Sequence, residues 1–156
     1  MKKLWLVSGF VILIILLLAV FSLGEKQIPF NLFNSPELHS PSDWIKEKQI
    51  KVYPNQVIIN INEPMWASFT NTNSMDPFID ENSNAIEIKP KSPLDIKVGD
   101  VISYQTKYSI IIHRVVKIDQ DKEGIYYLVK GDNNKITDPF KVRFKDVVGV
   151  VVAVIY

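Results

Sequence analysis

The sequence predicts a mainly β chain, an antiparallel β-domain preceded by one N-terminal transmembrane helix. Three observations predict it. Short runs rich in β-branched residues recur at roughly even spacing, Asn, Gly, Pro and Asp fill the gaps between them, and residues 4–23 carry no charge. The composition agrees with a single domain plus an appendage: 156 residues, 47% apolar and 22% charged. With 18 Lys and Arg against 17 Asp and Glu, the formal net charge is +1, which argues against a nucleic-acid binder. Cysteine is absent, so disulfides, thiolate metal sites and Cys nucleophiles fall away together. Two histidines, His39 and His113, leave too few imidazoles for a multi-His zinc site.

Taken in order, Met1-Lys2-Lys3 is a short basic start to the apolar run. At 1.5 Å per residue, a helix of about 20 residues is roughly 30 Å long, the thickness of a bilayer's hydrocarbon core. The rival reading is a cleavable signal peptide, with Ser22-Leu23-Gly24 as the small residues at the cut. Such apolar regions usually span about 7–15 residues, and this one is longer. The expectation is therefore an anchor over residues 1–24, with Lys2 and Lys3 keeping the N-terminus cytoplasmic and the rest outside the cell membrane. Residues 25–50 read as a linker rich in Pro, Asn and Ser that ends in a short helix over about 41–49. Ser40 is its cap, Pro41 its first residue and Asp43 its first-turn acid. Residues 51–156 form the β-rich domain. Its strands are expected at 57–61, 66–70, 85–88, 101–104, 110–118, 125–130 and 147–155.

Four stretches carry chemistry. Asn71-Thr72-Asn73-Ser74-Met75-Asp76-Pro77 lies between a strand and a turn, and Pro77 keeps Asp76 out of the helical region. That makes a rigid loop able to present the Ser74 hydroxyl. In Lys97-Val98-Gly99-Asp100 the Gly-Asp pair is a turn leading into a strand, and Asp100 reads as structural. In Ile111-Ile112-His113-Arg114-Val115, alternation puts His113 on the face of Ile111 and Val115. A lone histidine there is commonly a core residue. The same setting suits a general base, because burial disfavours the imidazolium. The fourth stretch, Lys130-Gly131-Asp132-Asn133-Asn134 with Asp138 beyond it, is a loop bearing two acids. A serine, an imidazole and two carboxylates are the parts of nucleophilic acyl transfer. Spacing alone does not bring them together.

These motifs in this order resemble the type I signal peptidases. Ser-Met-x-Pro at 74–77, the Gly-Asp strand start, His113-Arg114-Val115, Lys130-Gly131-Asp132-Asn133-Asn134 with Asp138, and Lys145-Asp146-Val147-Val148-Gly149 all match. The likeness is to the archaeal and endoplasmic-reticulum branch, which has His where the bacterial branch has Lys. It covers residues 71–150, about half the chain. The resemblance implies a signal-peptidase-like antiparallel β-domain. It implies Ser74 as nucleophile, His113 as the group that takes its proton and returns it to the leaving amine, Asp138 as the acid orienting His113, and Asp132 as a second acid shaping the site. Oxyanion and substrate contacts would come from Ser74, Thr72 and Met75. The implied reaction is amide hydrolysis through an acyl-enzyme, without metal or organic cofactor. The implied partners are preproteins with small residues before the cut, the bilayer, and translocon or accessory subunits.

Three features depart from the family pattern. Asn73 stands where Gly is common, Thr72 replaces Ser, and about 50 residues separate Leu23 from Ser74. The long spacing either adds structure beside the domain or lifts the site from the lipid. Two other classes stay in view. One is an inactive anchored β-domain that binds or scaffolds. The other is a self-cleaving regulator of the repressor type, which would need Lys at the position of His113.

Overall fold

The computed structural model describes residues 38–156, which form one compact unit, Leu38–Tyr156. The expected transmembrane helix and most of the expected linker lie outside the described residues. Among the described residues, no helix is long and apolar enough to cross a membrane.

The architecture is mainly β and antiparallel throughout. Among the described residues there are nine strands: β1 (Ile50–Tyr53), β2 (Gln56–Ile59), β3 (Met65–Ser68), β4 (Asn84–Ile88), β5 (Val101–Gln105), β6 (Ile110–Asp121), β7 (Gly124–Lys130), β8 (Val142–Arg143) and β9 (Val147–Ile155). β1 and β2 make a separate hairpin. The other seven form one sheet in the order β3-β4-β9-β5-β6-β7-β8. The last strand of the chain therefore enters between β4 and β5. Its run Val-Val-Gly-Val-Val-Val-Ala-Val-Ile has almost no polar break, as a strand with neighbours on both edges requires.

The sheet buries both faces. Ile102, Tyr104, Val115, Tyr127 and Val129 lead one apolar cluster, while Met75, Ile79, Ala85, Val101 and Val151 form the other. Alternation along β5 sends Ile102 and Tyr104 one way and Val101 and Ser103 the other, and all four are buried. His113 sits opposite Ile102 on the neighbouring strand β6. The sheet thus fixes the height of His113 against β5 by backbone pairing alone.

Two expectations need correction. The helix expected over 41–49 is reduced to one 3-10 turn, Glu47–Gln49. The reason is tertiary. The Ser42 amide donates to buried Asp100 Oδ1 at 2.6 Å, the Arg114 guanidinium reaches the His39 carbonyl, and Trp44 packs on the larger core cluster. A segment whose amides and side chains are used this way cannot also close helical turns. Gly99 shows how close the approach is: at φ +102° it lies so near the chain that a Cβ would sit 2.2 Å from the Ser40 carbonyl oxygen. Asp100 also accepts from the Lys97 amide at 2.8 Å, so this acid is spent on the turn and the strap crossing it. The second correction is strand number. The sequence expectation omitted β1 and β8. The Pro54-Asn55 turn between two β-branched runs was the available signal for β1. Two-residue β8 has no periodicity to read.

Candidate functional site

The site forms where the loop after β3 and the loop after β7 meet β5 and β6. His113 projects from β6 and is 6% exposed. Its Nδ1 lies 2.8 Å from Asp138 Oδ2. A carboxylate only accepts, so Nδ1 is the nitrogen that carries the proton in the neutral tautomer. Asp138 is held in three ways. Its amide donates to the Val129 carbonyl at 2.9 Å, at the end of β7. The Tyr104 hydroxyl donates to the same Oδ2 that faces the imidazole. Phe140, two residues on, meets the Tyr104 ring edge-on at 6.1 Å between centroids. Burial, and then the neighbouring Asp138 carboxylate, push the Tyr104 phenol far above its ordinary value, so it stays a donor at any working pH.

Ser74 comes from the loop after β3. The residue before it, Asn73, adopts φ +56°, a left-handed conformation. This explains the departure at this position: Gly takes that conformation freely, and Asn tolerates it better than most side chains. Met75 is buried in the second core cluster and anchors the loop on its far side. Ser74 Oγ lies 3.1 Å from Thr72 Oγ1, an exchange of hydroxyls that holds both side chains in one place. Among the described residues, the Ser74 amide donates to no protein acceptor.

Asp132 does something different from Asp138. It accepts two hydrogen bonds from Arg114, Nε to Oδ1 at 2.8 Å and Nη2 to Oδ2 at 2.6 Å. Arg114 also donates to the Gly99 carbonyl at 2.8 Å. Both partners of this forked pair are about nine-tenths buried. Being next to His113 on a strand, Arg114 points to the opposite side of the sheet. The acid the resemblance places second in the site is therefore engaged by Arg114, and the imidazole's acid is Asp138.

The Asp132 loop nonetheless reaches Ser74. The Asn133 amide donates to the Ser74 carbonyl at 3.0 Å, and Asn133 Nδ2 donates to the Asn73 carbonyl at 2.9 Å. At Gly131 an added Cβ would lie 2.4 Å from the Ser74 carbonyl oxygen. The Gly131→Ala variant is expected to push the Ser74 loop outward. If the Ser74 hydroxyl acts on a substrate in this cleft, a displacement near 1 Å costs about 10²-fold in rate while the circular dichroism stays native. Wild-type activity would mean that the two loops do not need to touch.

Ser74 and His113 line one cleft of about 800 Å³, together with β3, the start of β6 and buried Glu87. No hydrogen bond joins the Ser74 and His113 side chains among the described residues, since Ser74 Oγ faces Thr72. In unliganded sites such contacts are often long and tighten with substrate. Among the described residues, no group of three or more His, Asp or Glu side chains gathers as metal ligands do.

Glu87 was not singled out by the sequence. It is 3% exposed, and Ser103 Oγ donates to its Oε2 at 2.9 Å. Burial raises its pKa above the ordinary 4.5, outweighing the Ser103 bond that lowers it. The folded chain then holds this proton where the unfolded chain has lost it. The resulting stability is complete below about 4.5 and is lost as pH rises through the higher folded value. Glu87→Gln should remove that dependence, so its melting temperature should fall less than wild type's on moving from pH 4 to pH 8. Parallel curves would show that Glu87 does not titrate differently on folding.

Compared with known proteins, the chain matches no protein-family model and no curated relative.

Proposed function

We propose that this chain is a membrane-anchored serine endopeptidase that cleaves signal peptides from exported preproteins. One observation carries the reading: the buried His113–Asp138 pair lies in the same cleft as the Ser74 hydroxyl. A histidine kept only for packing has no need of a buried carboxylate and a tyrosine behind it. Ser74 attacks the scissile carbonyl, His113 Nε2 takes the hydroxyl proton, and the Ser74 amide meets the developing oxyanion. The acyl-enzyme forms as the His113 proton passes to the leaving amine, and water reverses the sequence. Thr72 holds the hydroxyl until substrate arrives.

The cleft suits an extended peptide. Among the described residues β3 is the terminal strand of the sheet, and it lines the cleft, so a peptide can add to its edge through backbone hydrogen bonds. The anchor, the extracytoplasmic side, and preproteins with small residues before the cut rest on the N-terminal sequence and on the family resemblance. One observation favours a second reading, a binding or scaffold domain: Ser74 Oγ bonds Thr72 and not His113. The test is to incubate the detergent-purified full chain with a preprotein beside its Ser74→Ala variant. Specific removal of the leader by wild type alone supports the peptidase. Uncleaved but captured preprotein supports the binding domain.

A further inference from the structure

The seven-stranded sheet carries a polar pair where its neighbours are apolar. Met65, Glu87, Gly149, Ser103 and Ile112 lie in one band across β3, β4, β9, β5 and β6, with Glu87 paired to Val151 and its side chain reaching Gly149 diagonally. Met65 faces Glu87, Gly149 faces Ser103, and Ser103 faces Ile112. The Glu87 carboxyl passes over β9 at Gly149 to reach Ser103 on the next strand. Gly149 is what permits the crossing, because a Cβ there would lie 2.8 Å from Glu87 Oε2 and 2.9 Å from Met65 Cε. Met65, Glu87, Ser103 and Ile112 all line the cleft that holds Ser74 and His113.

The carboxyl is half satisfied. Oε2 accepts from Ser103, while Oε1 is buried with no hydrogen-bond partner among the described residues. A buried polar atom left unpaired is costly, and native proteins keep few of them. Packing does not require this one, since an aliphatic side chain would fill the same place without an orphan oxygen. Met65, directly opposite on the edge strand β3, is the neighbour best able to move aside, because it is unbranched and adopts many rotamers.

We propose that Glu87 is a specificity-determining residue, whose free carboxyl oxygen binds a serine or threonine hydroxyl on the peptide in the cleft. The inference rests on the peptide-cleaving reading of the same cleft. A neutral carboxyl both donates and accepts, and so does a hydroxyl, so the two pair whichever oxygen holds the proton. Alanine or valine at that peptide position leaves Oε1 unpaired. Lysine would require the carboxyl to ionise where burial opposes it.

The test uses the full chain with Ser74→Ala, so that binding is read without turnover. Fluorescent peptides spanning a cleavage site carry Ser, Thr, Ala, Val or Lys at each position in turn. At one position, Ser or Thr should bind about tenfold or more tightly than Ala, the scale set by leaving a buried polar group unpaired. Adding Glu87→Leu should abolish that preference at that position only, and Glu87→Gln should retain part of it. Glu87→Met covers the case in which Glu87→Leu does not fold, since its unbranched side chain fills the same place without a polar oxygen and loss of the preference in that folded variant carries the same meaning. No preference at any position, a preference that survives Glu87→Leu, or a preference for Lys would overturn the proposal. Failure of wild type to cleave any of the peptides, with the hydroxyl preference intact, would instead overturn the peptidase reading and leave the binding site standing.

Discussion

On the proposed peptidase reading, Ser74→Ala is expected to lower cleavage by on the order of 10⁴–10⁶-fold and His113→Ala to do the same, with no additive loss in the double variant. The equality is the informative part. If the hydroxyl and the imidazole act as one unit, removing either removes the nucleophile, and nothing remains for the second change to take. The residual rate then comes from the oxyanion contact at the Ser74 amide and from peptide binding in the cleft. Neither variant should lose much stability. Ser74 exchanges only one hydroxyl contact with Thr72 at 3.1 Å, and its loop is held through backbone atoms by Asn133. His113→Ala leaves Asp138 with its Tyr104 partner. Cleavage rates with matched thermal melts check this. A folded Ser74→Ala protein that still cleaves at the wild-type rate would end the serine-peptidase reading.

Asp138→Asn and Asp132→Asn are expected to fail in different ways. Asp138 accepts from His113 Nδ1 at 2.8 Å and from the Tyr104 hydroxyl, with both bonds converging on Oδ2. An amide there also presents donors, so the imidazole is no longer held with Nδ1 protonated and Nε2 free. The loss should approach about 10⁴-fold in kcat with little change in KM or melting temperature, the signature of a misset tautomer. Asp132→Asn leaves the Arg114 guanidinium charged and nine-tenths buried without its counter-charge. Breaking one partner of such a pair costs about 3–5 kcal/mol of stability. Its effect on rate should be smaller and indirect, passing through Asn133 to the Ser74 carbonyl. Steady-state kinetics and melts on both variants separate the cases. If Asp132→Asn proves the worse in kcat while folded, the orienting acid is misassigned.

Much of the fold was legible because it is written in short-range pattern. β9 is an unbroken apolar run and β7 a β-branched segment between glycine turns, and both form within a residue or so of the expected limits. The pieces of the site were legible as residue types at recognisable spacing. What was not legible depends on contacts distant in sequence. The Ser40-Pro41-Ser42-Asp43 helix start fails because Asp100, 58 residues away, takes the Ser42 amide. The need for a left-handed residue at 73 appears only once the loop is seen, with φ +56°. Glu87 carried no signal in the sequence beyond its place in the short strand expected at 85–88. It is buried because β9 inserts beside it and Gly149 lets its carboxyl through to Ser103.

The sequence by itself determined the classes of element, the uncharged N-terminal run, and the set of side chains able to carry acyl transfer. These follow from local chemistry, since β-branching, turn residues and charge act within a few positions of the chain. The family resemblance implied Asp138 as the imidazole's acid, and only the tertiary structure shows the contact and its reason. Asp132 and Asp138 sit six residues apart on one loop and look alike in sequence. They part because adjacent residues of a strand face opposite ways: Arg114 draws Asp132 to one side of the sheet, and His113 meets Asp138 and Tyr104 on the other.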